Sequence, residues 1–308
     1  MEKTICSDMQ LSLADEYMGH LYFAKLASIE NIKPFKKFHR NWLKGRQEEC
    51  PSFEVSCLLR SYREYTQRLS QDMPALWRKK GSNQYTWWRH IKVDADMPEL
   101  LFAVHMTVRQ DAQDFAALFD GARAKPANKA FYKDQRYSFY IQSIDIYQNF
   151  KNIQSIQNIE SETYGAAYSF SPIKVGDFNF DGHADISAHK FVGGVNTPEH
   201  YWLFQSRTKQ FIYSDALSAI TSAQFFADEK LIKSSWKSSC CHHGEDYYQV
   251  IEGKVTKLYQ KSFECEINDQ GCTYTLTQWI KNEPVILINK EGLSDSFDWV
   301  NEEIANFP

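Results

Sequence analysis

Apolar residues in the first seventy positions recur with the period of an α-helix. Phe35, Phe38 and Trp42 stand at i, i+3 and i+7, which places them on one helical face. A second stripe with the same period contains Leu58, Tyr62, Tyr65 and Leu69. Together with the apolar residues of 11–30, these stripes predict three helices packed around a common core within residues 1–72.

The periodicity stops between residues 73 and 98. Pro74, Gly81, Ser82 and Asn83 are residue types that interrupt regular structure, so we interpret 73–98 as a linker or junction. Its Trp87-Trp88 pair fits two interpretations. One is a platform on which a carbohydrate stacks, and the other is packing at a domain junction.

Short segments rich in β-branched and aromatic residues follow from residue 99 onward. They are typical of strands and lie at 100–110, 137–148, 200–205, 210–214, 247–265 and 273–290. Glu252-Gly253, inside the fifth segment, predicts a hairpin turn. Because strands do not alternate with helices here, residues 99–308 are predicted to form an antiparallel β domain, as a sandwich, a barrel or a propeller-like sheet. The expected fold class is α+β with two domains.

Composition and charge narrow the function classes. The chain is 43% hydrophobic, which is typical of a folded protein rather than a disordered one. Its net charge is −4 and its basic residues are scattered, so nucleic-acid binding is not expected. No apolar run approaches the roughly 18 residues that a membrane span needs. The first ten residues, MEKTICSDMQ, contain no apolar signal-peptide core.

The seven cysteines point to an oxidising compartment. Two pairs share the spacing C-x6-C, Cys50 with Cys57 and Cys265 with Cys272, which suits staples across a loop or hairpin. We therefore expect an exported protein whose signal peptide is removed or truncated. All seven are disulfide candidates, and the odd number leaves one thiol free or paired elsewhere; they are Cys6, Cys50, Cys57, Cys240, Cys241, Cys265 and Cys272.

An oxygen-rich loop, GDFNFDGHAD, occupies residues 176–185. Asp177, Asn179, Asp181 and Asp185 stand at positions 1, 3, 5 and 9 of the loop, and a glycine at position 6 permits a sharp turn. Ca²⁺ prefers six to eight such oxygen ligands, and His183 at position 7 would add its backbone carbonyl. The spacing predicts a structural calcium site, with an Asx-turn that holds no metal as the alternative.

The loop differs from an EF-hand in two ways. Position 12 is Ala188 where an EF-hand has a bidentate glutamate, and the flanking segments have the composition of strands rather than helices. The pattern resembles the calcium loop D-x-[DN]-x-D-G-x-x-D of FG-GAP and integrin-type β repeats.

Four segments of the first seventy residues carry a more specific resemblance. They are EKTICSD (2–8), LADEYMGHLY (13–22), NWLKGRQEEC (41–50) and CLLRSYREYTQRL (57–69). The helical half resembles the N-terminal lysozyme-inhibitor domain of the LprI type.

The β half resembles periplasmic immunity and lysozyme-inhibitor proteins with a propeller-like fold. The resemblance covers about residues 130–262 and lies in VGDFNFDGHADI (175–186), YWLF (201–204), QFIYSDAL (210–217) and EDYYQVIEGKVTKL (245–258). It implies a periplasmic protein whose partner is a lysozyme-like peptidoglycan glycohydrolase, including effectors of type IV or type VI secretion.

Two further segments have open interpretations. SSCCHHGED (238–246) could hold zinc, but two adjacent cysteines do not readily bind one tetrahedral ion. The small-residue segment around Tyr164, Gly165 and Tyr168 is a candidate inhibitory loop, because a tyrosine on a small-residue loop can fill a sugar-binding cleft. A simple strand connection with Tyr168 in the core is the alternative.

The sequence contains no recognisable catalytic motif. Neither G-x-S-x-G nor H-E-x-x-H is present, and nothing marks a carboxylate pair for glycoside hydrolysis. The expected function is therefore that of a non-catalytic inhibitor or immunity protein that blocks the cleft of a peptidoglycan hydrolase. The alternative is an exported module that binds glycan or peptidoglycan directly.

Overall fold

The computed structural model describes residues 1–29, 31–70, 75–78, 83–108, 136–166, 171–191, 196–265, 271–281 and 283–293. Within these ranges the chain has four helices before the first strand and a one-turn helix later on. The three predicted helices are confirmed as α2, α3 and α4. The Asp8 side chain accepts a hydrogen bond from Leu11 N and so caps the start of α2. The helices are α1 Glu2–Ser7, α2 Met9–Ser28, α3 Ile32–Glu49, α4 Val55–Ser70 and α5 Asp215–Ser218.

The strands form three antiparallel sheets, each with its strands in chain order. The first sheet contains β1 Ala75–Arg78, β2 Gln84–Ile91, β3 Leu100–Val108, β4 Arg136–Gln148 and β5 Lys151–Ala166. The second contains β6 Lys174–Gly176, β7 Asp185–His189, β8 Glu199–Gln205 and β9 Gln210–Tyr213. The third contains β10 Ala223–Phe226, β11 Leu231–Lys237, β12 His242–Ile251, β13 Lys254–Cys265, β14 Gly271–Ile280 and β15 Glu283–Leu293. The α+β class with antiparallel sheets is confirmed, and a propeller-like arrangement remains a prediction.

The chain divides into two compact units. The first comprises residues 1–176, 182–192 and 202–213, and the second comprises 177–181, 193–201 and 214–308. The helices thus share a unit with the first sheet, which differs from the boundary predicted after residue 72. Residues 73–98 also differ from the predicted linker, since they contain β1 and β2 of that sheet.

Strands β2 and β3 of the first sheet are buried on both faces. Along β2, Trp87 and Trp88 are 1% and 2% exposed and point to opposite sides, as successive residues of a strand do. Trp88 joins the core formed by the helices, with Leu101 and Ala103 of β3. Trp87 joins a core in which the first sheet packs on strands of the second, such as β8 with its Phe204. The two tryptophans pack in cores, so the carbohydrate platform predicted as one alternative is wrong.

Strand β5 was missed in the sequence, and the reason is its irregular pairing. Its isoleucines, 153, 156 and 159, do not alternate with polar residues. The ladder with β4 shifts register twice, between Ile141 and Ser143 and between Ile146 and Tyr147, and each shift breaks the two-residue period from which a strand is recognised. β5 extends to Ala166, which places Tyr164 and Gly165 in a strand.

The third sheet is a six-stranded meander with a small core. Tyr274 and Leu276 are buried there, and Ile288 packs against them. The predicted hairpin is confirmed, because Glu252 and Gly253 have φ of 50° and 74° and join β12 to β13 in a two-residue turn of the kind that hairpins favour.

One glycine of the third sheet is required by packing. A Cβ on Gly244 would lie 2.2 Å from the Lys261 carbonyl oxygen and 2.6 Å from the Trp236 ring. Trp236 and Gly244 face each other across β11 and β12. The indole therefore occupies the space that a side chain at 244 would need.

Among the described helices, none is both long enough and apolar enough to cross a membrane.

The buried tryptophans allow a matched test of the helix–sheet core. The indole Nε1 of Trp88 donates to His20 Nδ1 at 2.9 Å, whereas that of Trp87 has no hydrogen-bond partner among the described atoms. Phenylalanine at either position removes similar apolar area, but only Trp88→Phe leaves a buried acceptor on His20. We expect Trp88→Phe to lower the free energy of unfolding by about 1–3 kcal/mol more than Trp87→Phe.

Urea denaturation followed by circular dichroism at 222 nm measures this difference, because that signal reports on the helices. Equal losses for the two variants would contradict the assigned role of the Trp88–His20 bond.

Candidate functional sites

The loop predicted to bind calcium is closed by its own oxygen atoms. The backbone N–H of Asp181 donates to Asp177 Oδ1 at 3.0 Å and to Asn179 Oδ1 at 3.2 Å. The Asn179 amide donates to Asp181 Oδ2 at 2.8 Å. The structure therefore brings these three predicted ligands together, in the second compact unit.

Aromatic residues between the ligands attach this part of the loop to the second unit. The ring centroid of Phe178 lies 5.0 Å from that of Tyr201 and 4.9 Å from that of Phe225. Phe180 has a φ of 60° and also lies near Phe225, with centroids 6.3 Å apart. At the turn, Gly182 has a φ of 90°, a conformation that glycine adopts without steric cost. The two phenylalanines therefore anchor this part of the loop to Tyr201 and Phe225.

The last two predicted ligands lie in the first unit and have structural contacts there. Asp185 is fully buried, and its Oδ1 accepts a hydrogen bond from Phe204 N at 2.8 Å. His183 Nδ1 lies 3.5 Å from Asp94 Oδ2. Asp185 therefore holds β7 to β8 as part of the fold.

The loop makes these contacts with its own side chains and backbone. No group of three or more His, Cys, Asp or Glu side chains with metal-holding geometry occurs in the described ranges. The loop as it stands is an Asx-type turn, the alternative interpretation. The same donors, Asp177, Asn179 and Asp181 with a backbone carbonyl, are hard oxygen ligands of the kind that Ca²⁺ takes, so calcium remains a prediction.

The candidate inhibitory loop is partly corrected. Tyr164 and Gly165 pair with Ser138 and Tyr137 of β4, so they belong to a regular ladder and not to a loop. Tyr168 lies outside the described residues. An inhibitory role of Tyr164, Gly165 and Tyr168 therefore stays a prediction.

The cysteines divide as their spacing predicted. Disulfides join Cys50 to Cys57 and Cys265 to Cys272. Cys6, Cys240 and Cys241 are free thiols, so they are not disulfide-bonded as the candidate set allowed. The zinc interpretation of 238–246 has no supporting cluster in the described ranges.

Motif residues of the helical half form one stacked network. The Arg46 guanidinium lies over the rings of both Trp42 and Tyr62, 4.8 and 4.9 Å from their centroids. Arg46 donates to the Tyr62 hydroxyl, which donates to Asp15 Oδ1 at 2.5 Å. Trp42 stacks on Tyr65 with centroids 4.0 Å apart. Burial, chiefly, raises the pKa of the Tyr62 hydroxyl, so the hydroxyl stays protonated and can donate.

A polar network on the first sheet was missed in the sequence. His105 Nε2 lies 2.9 Å from Asp145 Oδ2, and the Ser155 hydroxyl donates to Asp145 Oδ1 at 2.5 Å. The Tyr147 hydroxyl donates to Asp145 Oδ2 at 3.4 Å. The pKa of Asp145 is lowered, and the hydrogen bond from His105 is the largest cause. The sequence signal that could have revealed this network is the alternation of polar Ser143, Asp145 and Tyr147 with isoleucines along β4.

The third sheet has a second such network. Lys233 Nζ lies 2.5 Å from Glu245 Oε1, and the Tyr247 hydroxyl donates to Glu245 Oε2 at 2.6 Å. Lys261 Nζ donates to the same hydroxyl at 3.1 Å. These groups connect β11, β12 and β13, so they stabilise the register of the meander.

The comparisons with known proteins leave the family open. No model of a protein family matches the chain, and no curated protein matches it. A solved structure, that of a Xanthomonas type IV secretion system related protein, aligns with 71% of this chain and 100% of its own. The two share 15% sequence identity with a TM-score of 0.37, a likeness too low to carry an argument about function.

The Asp145 network predicts a pH-dependent contribution to stability. A carboxyl whose pKa is lowered in the folded state stabilises that state above its ordinary pKa, and this stabilisation is lost as the pH falls through the lowered value. We expect Asp145→Asn to reduce the free energy of unfolding by about 1.5–3 kcal/mol at pH 7. The difference from wild type should shrink as the pH falls from 5 to 3.

Urea titrations at several pH values measure this dependence, with Glu99→Gln as a control at an exposed carboxylate of the same unit. A difference for Asp145→Asn that stays constant from pH 7 to pH 3 would show that the lowered pKa does not contribute.

Proposed function

We propose that this chain is an exported, non-catalytic immunity protein that binds a lysozyme-like peptidoglycan hydrolase and blocks its active-site cleft. The hydrolase would be an effector of the kind delivered by type IV or type VI secretion. One observation carries the proposal. The residues that resemble LprI-type inhibitors pack into one core, and a disulfide crosslinks that core.

Every segment of that resemblance contributes to the core. Ile5, Tyr17, Leu58 and Leu69 are buried in it, as is Cys50 of the disulfide. Arg46, also a motif residue, is buried against the Trp42 and Tyr62 rings. Residues far apart in the sequence that meet in one core support a shared domain more strongly than a composition match does.

The two disulfides support the proposed compartment. Disulfides form and persist in oxidising environments such as the bacterial periplasm. Both bridges close short segments, from Cys50 to Cys57 and from Cys265 to Cys272, as is common in exported domains. In the periplasm this protein would encounter a peptidoglycan hydrolase.

The competing function, direct glycan binding, loses its main support. A sugar platform needs aromatic faces open to solvent, and Trp87 and Trp88 are both buried. A binder of a protein cleft needs an interface of about 1,200–2,000 Å² with an aromatic anchor at its centre. We propose Tyr168 as that anchor.

Inhibition can be measured by the clearing of bacterial cell-wall suspensions. Equimolar protein is expected to abolish lysis by at least one lysozyme-like hydrolase from a panel that includes any encoded beside this gene. Tyr168→Ala is expected to weaken inhibition at least 10-fold, whereas Tyr213→Ala, at a partly exposed tyrosine of β9, should not. Full lysis by every hydrolase, together with retention of the protein on isolated peptidoglycan, would favour the glycan-binding alternative.

We further propose that the loop 177–185 binds a structural Ca²⁺, which would lower the ordering cost of association by fixing the loop. Saturating calcium is expected to raise the Tm of EDTA-treated protein by about 5–10 °C. Asp181→Asn should lose most of this shift, because it removes a carboxylate while it keeps the side chain's size. Asp185 is unsuited to the test, since its carboxylate supports the fold through Phe204 N.

Differential scanning fluorimetry measures the shift, and Asp228→Asn serves as the control at an exposed aspartate in the turn between β10 and β11. The calcium proposal fails if calcium leaves the Tm of the wild type unchanged.

A further inference from the structure

Four cysteines gather at one end of the third sheet. β13 and β14 place Cys265 opposite Cys272, and the two are joined by a disulfide. On the other side of β13, His242 pairs with Glu264, and the ladder continues one residue further because Cys265 N donates to Cys241 O at 2.8 Å. Cys241 therefore stands opposite Cys265. The order across three neighbouring strands is Cys241, Cys265, Cys272.

Residues directly opposite each other in an antiparallel pair project from the same face, with Cβ atoms about 4.5–5.5 Å apart. Because Cys265 and Cys272 are joined by a disulfide, their side chains project from the same face of the sheet. The strand register places Cys241 on that face as well. Cys240 extends the row, since its Sγ lies 3.0 Å from Cys241 Sγ. Cys240 is exposed and Cys241 is partly exposed, so the thiols are open to reagents.

We propose that these four cysteines form an internal thiol–disulfide exchange site. In the first step the Cys241 thiolate attacks Cys265 Sγ. The Cys241–Cys265 bond forms, the Cys265–Cys272 bond breaks, and Cys272 leaves as a thiolate that takes up the proton lost by Cys241. In the second step the Cys240 thiolate attacks Cys241 Sγ, which closes a Cys240–Cys241 disulfide and releases Cys265 as a thiolate that takes up the proton lost by Cys240.

The two steps conserve atoms and electrons within the chain. One dithiol is oxidised while one disulfide is reduced, so no external oxidant is needed. The thiolate is the attacking species in such reactions. The pKa of the Cys241 thiol is raised, and the largest cause is the contact with the Cys240 sulfur. Exchange is therefore slow at neutral pH and accelerates as the pH rises.

The neighbouring histidines are engaged in other contacts. The His242 Nδ1 lies 2.8 Å from the Ser238 hydroxyl, and the His243 ring packs on Phe263 with centroids 4.9 Å apart. A metal site at this row has no support in the described ranges. The proposed exchange among the four sulfurs is independent of the proposed hydrolase binding.

The first experiment traps thiols in the folded protein. In the Cys6→Ser protein, which lacks the free thiol outside the row, equilibration at pH 8.5 followed by a brief pulse of N-ethylmaleimide and peptide mass mapping should show alkylated Cys272. The Cys6→Ser, Cys241→Ser protein should lose this alkylation at least 10-fold. Cys57 serves as an internal control, because its disulfide has no thiol partner in a facing strand. Alkylation of Cys272 that is absent, or that persists without Cys241, would overturn the proposal.

The second experiment tests register directly. With Cys6 and Cys272 replaced by serine, and either Cys240 or Cys241 also replaced, a small disulfide such as oxidised glutathione can link the remaining thiol to Cys265. We expect a Cys241–Cys265 bond to form at least 10-fold faster than a Cys240–Cys265 bond. Equal rates would overturn the assigned row. Circular dichroism checks that both variants are folded, and the first experiment does not depend on replacing Cys272.

Discussion

The burial of one strand on both faces is the constraint on which the first compact unit depends. A strand sends successive side chains to opposite sides, so Trp87 and Trp88 give β2 a large aromatic group on each face. One face then requires a cover of helices and the other a second sheet, and both are present. The helical core is in turn anchored on the sheet by the bond from Trp88 to His20. Burial lowers the pKa of His20 to about 4, so its ring is neutral at pH 7 and can accept that bond.

The second unit is stabilised in a different way. Its meander has a small apolar core, and cross-strand pairs supply much of what fixes its register. The Lys233–Glu245–Tyr247 contacts, the Trp236 ring over Gly244 and the Cys265–Cys272 bridge each join neighbouring strands. The noncovalent pairs stabilise a sheet locally, since each contributes a fraction of a kcal/mol to about 1 kcal/mol. The same close approach of strands that sets the register also aligns the cysteine row.

The functional proposal draws on both units but on different kinds of evidence. In the helices, the residues that resemble LprI-type inhibitors serve the fold, because Arg46 and its aromatic neighbours are buried. Binding residues must then lie on other surfaces, where substitution does not disturb the core. In the oxygen-rich loop, hydrogen bonds among Asp177, Asn179 and Asp181 already arrange the acceptors. An ion that binds a preformed turn has less conformational entropy to overcome than one that must order it.

The local features of this chain followed from its sequence. The helical stripe from Leu58 to Leu69, the Glu252-Gly253 turn and the two C-x6-C bridges depend on neighbours within a few residues, and periodicity or spacing encodes such contacts directly. The tertiary structure decided four other features: the path of β5, the opposite faces taken by Trp87 and Trp88, the structural use of Asp185 and the alignment of Cys241 with Cys265. Each depends on which distant strand pairs with which and in what register. Register shifts such as those between β4 and β5 erase the short-range alternation from which pairing could have been read.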